Sequence, residues 1–151
     1  MTNTQLNADV WQWCDMSYAQ NQALCLELQN SFMVNVNLLL LAHYLDAKQA
    51  AAPMQFTVEQ WQSLAQTISE WNEKFLEPYR QLRKLAKSSL QQDEYQQMLD
   101  VELMMERKAQ RTLLTKLNTL APQGHHANLV NYLSLFGLSE GDVRTLGLIT
   151  P

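Results

Sequence analysis

The first 123 residues of this chain contain no glycine, and this absence restricts the fold more than any other feature. Phosphate-binding loops, dinucleotide-binding fingerprints and nucleophile elbows all require glycine at fixed positions, so the main body of the chain cannot contain them. Leucine and glutamine are frequent while valine and isoleucine are few, which favours helices over strands. The chain is therefore predicted to be all-α. The glycines stand at Gly124, Gly137, Gly141 and Gly147.

The size and charge of the chain indicate one folded domain. Its 151 residues, of which 46% are hydrophobic and 17% charged, are enough for a single core and argue against disorder. The net charge of −4 provides no general attraction to nucleic acid or to an anionic membrane. The apolar run near Leu38–Leu41 is far shorter than the roughly 20 residues of a membrane span. Two cysteines without a CxxC spacing and the absence of an evident signal peptide predict a cytoplasmic protein.

The pattern of apolar residues predicts a single bundle of five to seven helices. Residues 35–47, NVNLLLLAHYLDA, are apolar nearly all round and are predicted to form the central helix. Asn35 or Asn37 can cap its start, because an amide oxygen accepts hydrogen bonds from free backbone N–H groups. Two separate helices are expected before it, over about residues 8–19 and 22–32.

Residues 57–120 are predicted to form a long antiparallel helix hairpin, which follows the linker KQAAAPMQ. Thr57 and Gln60 have capping-box spacing at its start. Pro78 is expected to kink or break the first arm, because proline lacks an N–H group and clashes with the preceding turn. The second arm is expected to begin at about Asp93. The apolar stripe of the first arm comprises Trp61, Leu64, Ile68, Trp71, Phe75, Tyr79 and Leu82.

The chain divides into a predicted helical bundle domain, residues 1–121, and a helical extension packed on it, residues 122–151. The extension contains LSLFGLSEGDVRTLGL, which resembles a helix-turn-helix. A DNA-reading helix needs basic side chains, but here Glu140 and Asp142 accompany Arg144 and would repel phosphates. DNA binding is therefore disfavoured, and a packing hairpin or a dimer contact is expected instead.

Two carboxylates of the second arm fall near the middle of its apolar face. Glu102 and Glu106 lie one turn apart, about 40° from each other in projection. Burying them without partners would cost several kcal/mol or force protonation. Arg83 on the first arm projects toward them, and the central helix could add His43 and Asn37. These five residues are the predicted ligand-binding candidates.

The charges on the two arms are expected to neutralise each other. If positions whose numbers add to about 180 face each other, Arg80 meets Asp100 and Lys74 meets Glu106. This pairing disfavours phosphate or RNA binding by the basic residues that follow Pro78.

Three interpretations of the candidate cluster remain open. The glutamates and Arg83 could form a structural ion network, with His43 a core residue. They could instead line a pocket for a small polar or anionic ligand. A metal site is the third interpretation, although the chain lacks the Glu-x-x-His pairs of di-metal bundles, and no metal or cofactor is predicted. No catalytic residue is predicted, because Cys14 and Cys25 lie on apolar helix faces.

Several sequence blocks occur in the order ALCLELQ, VNVNLLLLAHYL, WQSLAQTISEW, PYRQLRKL and VELMMER. Over about residues 10–120 they resemble an uncharacterised family of small all-helical gammaproteobacterial proteins. The family usually has an acid in place of Asn35 and a tryptophan in place of Tyr44. The resemblance implies no activity, but the shared blocks include Arg83 and Glu102.

The sequence as a whole predicts a non-enzymatic, cytoplasmic helical protein that binds a protein partner, a second copy of itself or a small ligand. The rival hypothesis is an enzyme, or a ligand- or metal-binding protein, that uses the Glu/Arg/His pocket. A partner-binding protein should expose an apolar patch, for which Trp11, Trp13 and the C-terminal leucines are the candidates. No membrane association is expected.

Overall fold

The computed structural model describes residues 6–48 and 54–151, and within these ranges it contains helices and turns but no strand. The predicted all-α fold is confirmed. The linker KQAAAPMQ falls mostly outside the described residues. The elements in chain order are α1 (Asp9–Phe32), α2 (Val36–Ala47), α3 (Val58–Trp71), a π-helical turn (Asn72–Leu76), α4 (Glu77–Ala86), a 3-10 turn (Lys87–Ser89), α5 (Gln92–Leu117), α6 (Asn128–Ser134) and α7 (Glu140–Thr145).

Helix α2 is the centre of the bundle, as predicted. Nearly every residue from Leu38 to Leu45 is buried, and α1 and α6 pack against it. Asn35 is the N-cap residue, and its Oδ1 accepts a hydrogen bond from the backbone N–H of Leu38 at 3.2 Å. None of the described helices combines the length and apolar character needed to cross a bilayer.

Helix α1 runs from Asp9 to Phe32 and is kinked at Asn21, which lies between the two helices predicted over about residues 8–19 and 22–32. The two predicted helices are therefore present, and they join end to end across this kink. The chain bends at Asn21, whose φ of −122° and ψ of 21° are not helical. The side-chain amide of Asn21 donates to the carbonyl of Ser17 at 2.8 Å. Side-chain bonds of this kind compete with the backbone ladder and bend a helix without ending it.

The hairpin is formed by α3, the π-helical turn and α4 on one arm and by α5 on the other. The predicted capping box is present, since Thr57 Oγ1 accepts from Gln60 N–H and Gln60 Oε1 accepts from Thr57 N–H. Pro78 does not break the first arm. The widened turn that ends at Leu76 includes Lys74, four residues before Pro78, where the ring would clash with a regular helix.

The hydrophobic core occupies only the part of the hairpin that lies against α2. Ile68 on α3 and Leu113 on α5 are buried in it, whereas α4 contains no buried residue. We call residues 72–104 the distal hairpin. Its two arms pack mainly on each other and extend past the core.

The segment after α5 is held by buried amides. Asn128 Oδ1 accepts from Phe56 N–H at 2.9 Å and from Trp61 Nε1 at 3.3 Å. Asp46 at the end of α2 accepts from the backbone N–H groups of Asn128 and Leu129, which begin α6. Helix α6 thus packs in the same core as α2, while the predicted boundary between residues 121 and 122 stays a prediction.

Candidate functional site

Arg83 and Glu102 form the central ion pair of the distal hairpin. Arg83 Nε donates to Glu102 Oε1, and Arg83 Nη1 donates to the hydroxyl of Tyr95 at 2.8 Å. The two charged side chains are 15% and 14% exposed. The hydrogen bond to Glu102 raises the pKa of Arg83, so the guanidinium stays charged. The predicted approach of Arg83 to Glu102 is confirmed by these contacts.

Arg80 binds Glu106 at 2.9 Å, so the predicted pairs of Arg80 with Asp100 and of Lys74 with Glu106 were wrong. The indole of Trp71 donates to the carbonyl of Met105, so the backbone register is near the predicted one. Side chains on a helix tilt toward its N-terminus, and the long arginine on α4 therefore reaches a carboxylate farther along α5 than the backbone register suggests.

His43 lies away from these ion pairs, on α2. It is 6% exposed, and its Nε2 lies 3.3 Å from the carbonyl oxygen of Ile149, to which it can only donate. Its ring packs edge-on against Trp13 at 5.0 Å between centroids. Burial lowers the pKa of His43, which favours the neutral ring. Its contacts are those of a core histidine.

Asn37 lies in a third place, where α2 meets α5. Its Oδ1 accepts from Gln110 Nε2 at 3.3 Å, and Gln110 Oε1 accepts from Arg107 Nη1 at 2.8 Å. Arg107 also approaches Asp15 at 3.4 Å. The structure therefore divides the five candidates among the hairpin ion pairs, the His43 contact and this amide bridge.

The candidate residues make contacts that stabilise the fold, and the two cysteine thiols are unreactive as well. Burial raises the pKa of the Cys14 thiol to about 12 and that of Cys25 to about 11, so both stay protonated at neutral pH. Within residues 6–48 and 54–151, no three His, Cys, Asp or Glu side chains cluster closely enough to hold a metal ion. The grooves described on the surface are lined by other residues.

An apolar surface, which sequence reasoning did not locate, lies on the distal hairpin. Leu85 is 78% exposed and Met104 is 60% exposed. Trp11, expected in such a patch, is instead 4% exposed. We call the surface the apolar hairpin face; it comprises Phe75, Leu82 and Leu85 from the first arm and Val101 and Met104 from the second.

One side of the hairpin carries Phe75, Leu82 and Val101, and Leu85 and Met104 border them on its two outer edges. Projection of both arms at about 100° per residue places Leu82 and Val101 on the same side, opposite the pair of Arg80 and Glu106. A chain of contacts supports this placement. The ring of Phe75 stacks on Trp71 at 5.1 Å, and the ammonium of Lys108 lies 5.1 Å from the Trp71 ring.

A basic groove continues from the apolar hairpin face toward the bundle. It has a volume of about 480 Å³ and carries the cationic groups of Lys108, Arg111 and Lys116. The sequence contains no acidic residue from Arg107 to Ser139. Among the residues that the structure describes, none of the three cations forms an ion pair. The other lining residues are Thr67, Thr112, Thr115 and Thr119.

Two contacts to the segment after α5 could not have been found from the sequence. Asn21 binds both the N–H and the carbonyl of Ile149, each at 2.8 Å. Asp46 caps α6 across 82 positions. Neither pair has a spacing or a motif that would signal contact, because both depend on the packing of distant helices.

Comparison with known proteins gives one match. The family described as "Protein of unknown function (DUF2390)" matches residues 9–113. The matched range contains the ion pairs of the hairpin and the apolar hairpin face, whereas α6 and α7 lie outside it. No curated protein and no solved structure matches the chain.

Proposed function

We propose a binding function for this protein, which belongs to the DUF2390 family of proteins of unknown function. The protein binds another protein through the apolar hairpin face and does no chemistry of its own. The observation that carries this proposal is the exposure of Leu82, Leu85 and Met104 along one side, and its two edges, of a hairpin that extends past the core.

The folding of a single chain does not explain why these apolar side chains are exposed. Contiguous exposed apolar groups that polar residues surround usually mark an interaction site. The polar contacts between the arms favour the same conclusion. Arg83 is bonded to Glu102 and Tyr95, and Tyr79 donates to the carbonyl of Met98 at 2.9 Å. These bonds hold the apolar hairpin face in a fixed shape, which lowers the entropy lost on binding.

The exposed methionine suits such a surface. Met104 has an unbranched, polarisable side chain that adapts to a partner, a property common at binding faces. Two buried, free cysteines favour a reducing compartment, and we propose the cytoplasm as the location.

Site-specific photo-crosslinking tests the proposal. A benzoylphenylalanine at position 82 should give a defined crosslinked protein in cells that naturally contain this chain. The same probe at Gln12, an exposed position on α1, is the control and should not give that product. Adding Met104→Glu should remove the product without loss of the folded protein. Equal crosslinking from Gln12, or a product insensitive to Met104→Glu, would contradict the proposal.

The basic groove supports a second candidate function, the binding of a small anion. Its cations have no ionic partner among the described residues, so an anion would meet little competition. Titration with inorganic pyrophosphate, followed by amide chemical shifts, tests this idea. Arg111→Ala with Lys116→Ala should weaken binding about tenfold. Lys84→Ala with Lys87→Ala, of equal net charge, should not. Equal losses in both double variants would exclude the groove.

A further inference from the structure

We propose that the occupant of the apolar hairpin face is a second copy of this chain, which docks antiparallel along α5. This inference rests on the proposed function and names its partner. It is carried by the order of charged and apolar residues on the exposed edge of α5.

The charged and apolar residues of that edge follow one another at intervals of seven, four, four and three residues, so they form one stripe along the helix. The acidic groups of Asp93 and Asp100 lie toward the tip of the hairpin. Met104 is the apolar centre, and the basic groups of Lys108 and Arg111 lie toward the bundle. One end of the stripe is thus acidic and the other basic.

Such a stripe is complementary to itself in one orientation only. In an antiparallel pair the two-fold axis passes near Met104, so its side chain packs on the same residue of the second copy. Asp100 then faces Lys108 of the second copy, and Asp93 lies about one helical turn from Arg111 of that copy. A parallel pair would place like charges together, which costs free energy.

The charges that would meet across this interface are available. Lys108, Arg111 and Asp93 take part in no ion pair among the residues that the structure describes, and Asp100 accepts one bond from Gln96. The span from Asp93 to Arg111 is about 27 Å at the rise of an α-helix, which is long enough for a two-helix contact. Leu82 on α4 would add apolar area beside it.

Charge exchange between two variants tests this pairing. One variant carries Asp93→Lys and Asp100→Lys, and the other carries Lys108→Glu and Arg111→Glu. Sedimentation equilibrium should show a dimer for the natural chain and at least about tenfold weaker association for each variant alone. An equimolar mixture should recover a heterodimer, because both ends are then complementary.

The control is a variant with Glu27→Lys and Glu59→Lys, which changes the net charge as the first variant does, at exposed positions away from the stripe. It should dimerise like the natural chain. A natural chain that stays monomeric throughout the micromolar range would overturn the inference, and so would a mixture that fails to associate. If position 82 still crosslinks to a different protein, the proposed function stands while the inference fails. If it crosslinks to nothing, both fail.

Discussion

The two ends of the α3–α5 hairpin carry the same pattern of apolar residues, but only one end lies beside the hydrophobic core. Near the bundle, Trp61 and Ile68 of the apolar stripe are fully buried, and their helix packs against α5 and α6. Beyond the bundle the stripe continues through Phe75 and Leu82, which are exposed. An apolar stripe that is longer than its core leaves part of a helix face exposed, and we propose that a binding partner covers that part.

The polar contacts differ in the same way. In the bundle, buried side-chain amides such as that of Asn128 join segments far apart in the sequence. In the distal hairpin, charged pairs such as Arg83 with Glu102 join neighbouring arms and keep some contact with water. The bundle is therefore expected to determine the stability of the fold. The distal hairpin is expected to determine how the protein interacts with a partner.

The largest expected effect is the loss of a core aromatic. Trp61→Ala should lower the free energy of unfolding by about 3 to 5 kcal/mol, because it leaves a cavity. It also removes the bond to Asn128. Denaturant unfolding measures the loss. A change near that of a surface substitution would show that the bundle is not the stabilising region.

The loss of a buried side-chain amide is expected to have the next largest effect on the free energy of unfolding. Asn128→Ala should cost about 1 to 3 kcal/mol, because the N–H of Phe56 would lose its acceptor. The same denaturant unfolding applies, with Asn30→Ala on the exposed side of α1 as the control. Equal stabilities of these two variants would contradict the role of this amide.

The hairpin ion pair should contribute less. Arg83→Ala should cost about 1 to 2 kcal/mol, between the values for exposed and fully buried pairs. A double-mutant cycle with Glu102→Gln isolates the coupling. The matched control is Arg144, which binds Glu140 on the exposed surface of α7, and its alanine variant should cost at most about 0.5 kcal/mol. A coupling no larger than that of the control would mean that the pair does not rigidify the hairpin.

The smallest stability effect concerns pH. Burial lowers the pKa of His43 below its ordinary 6.5, so the unfolded chain takes up a proton before the folded chain does. The stabilisation is complete above pH 6.5 and falls as the pH drops from there toward the folded pKa. His43→Gln, which keeps a donor for the carbonyl of Ile149, should flatten this part of the profile. Identical pH profiles for both proteins would contradict the assignment.

Local signals in the sequence predicted the local structure well. Thr57 and Gln60 form the expected capping box, and Asn35 caps α2, because capping depends on residues only three positions apart. The pair of Arg83 with Glu102 was predicted because a short turn fixes how two antiparallel arms meet.

Long-range placement could not be predicted. The pattern of apolar residues shows that Leu82 lies on an apolar face, but it does not show whether another helix covers that face. The position of His43 beside Ile149 depends on how the end of the chain returns to α2. Periodicity defines the faces of a helix, and only the packing of distant elements decides which faces are buried.

The variant Leu82→Ser tests the apolar hairpin face most directly, because its stability and its association can both be measured. Because Leu82 is exposed in the single chain, its unfolding free energy should change by less than about 0.5 kcal/mol. Its association, followed by sedimentation equilibrium on the purified chain, should weaken at least about tenfold. A large loss of stability with unchanged association would show that Leu82 belongs to the core and that the apolar hairpin face is not a binding surface.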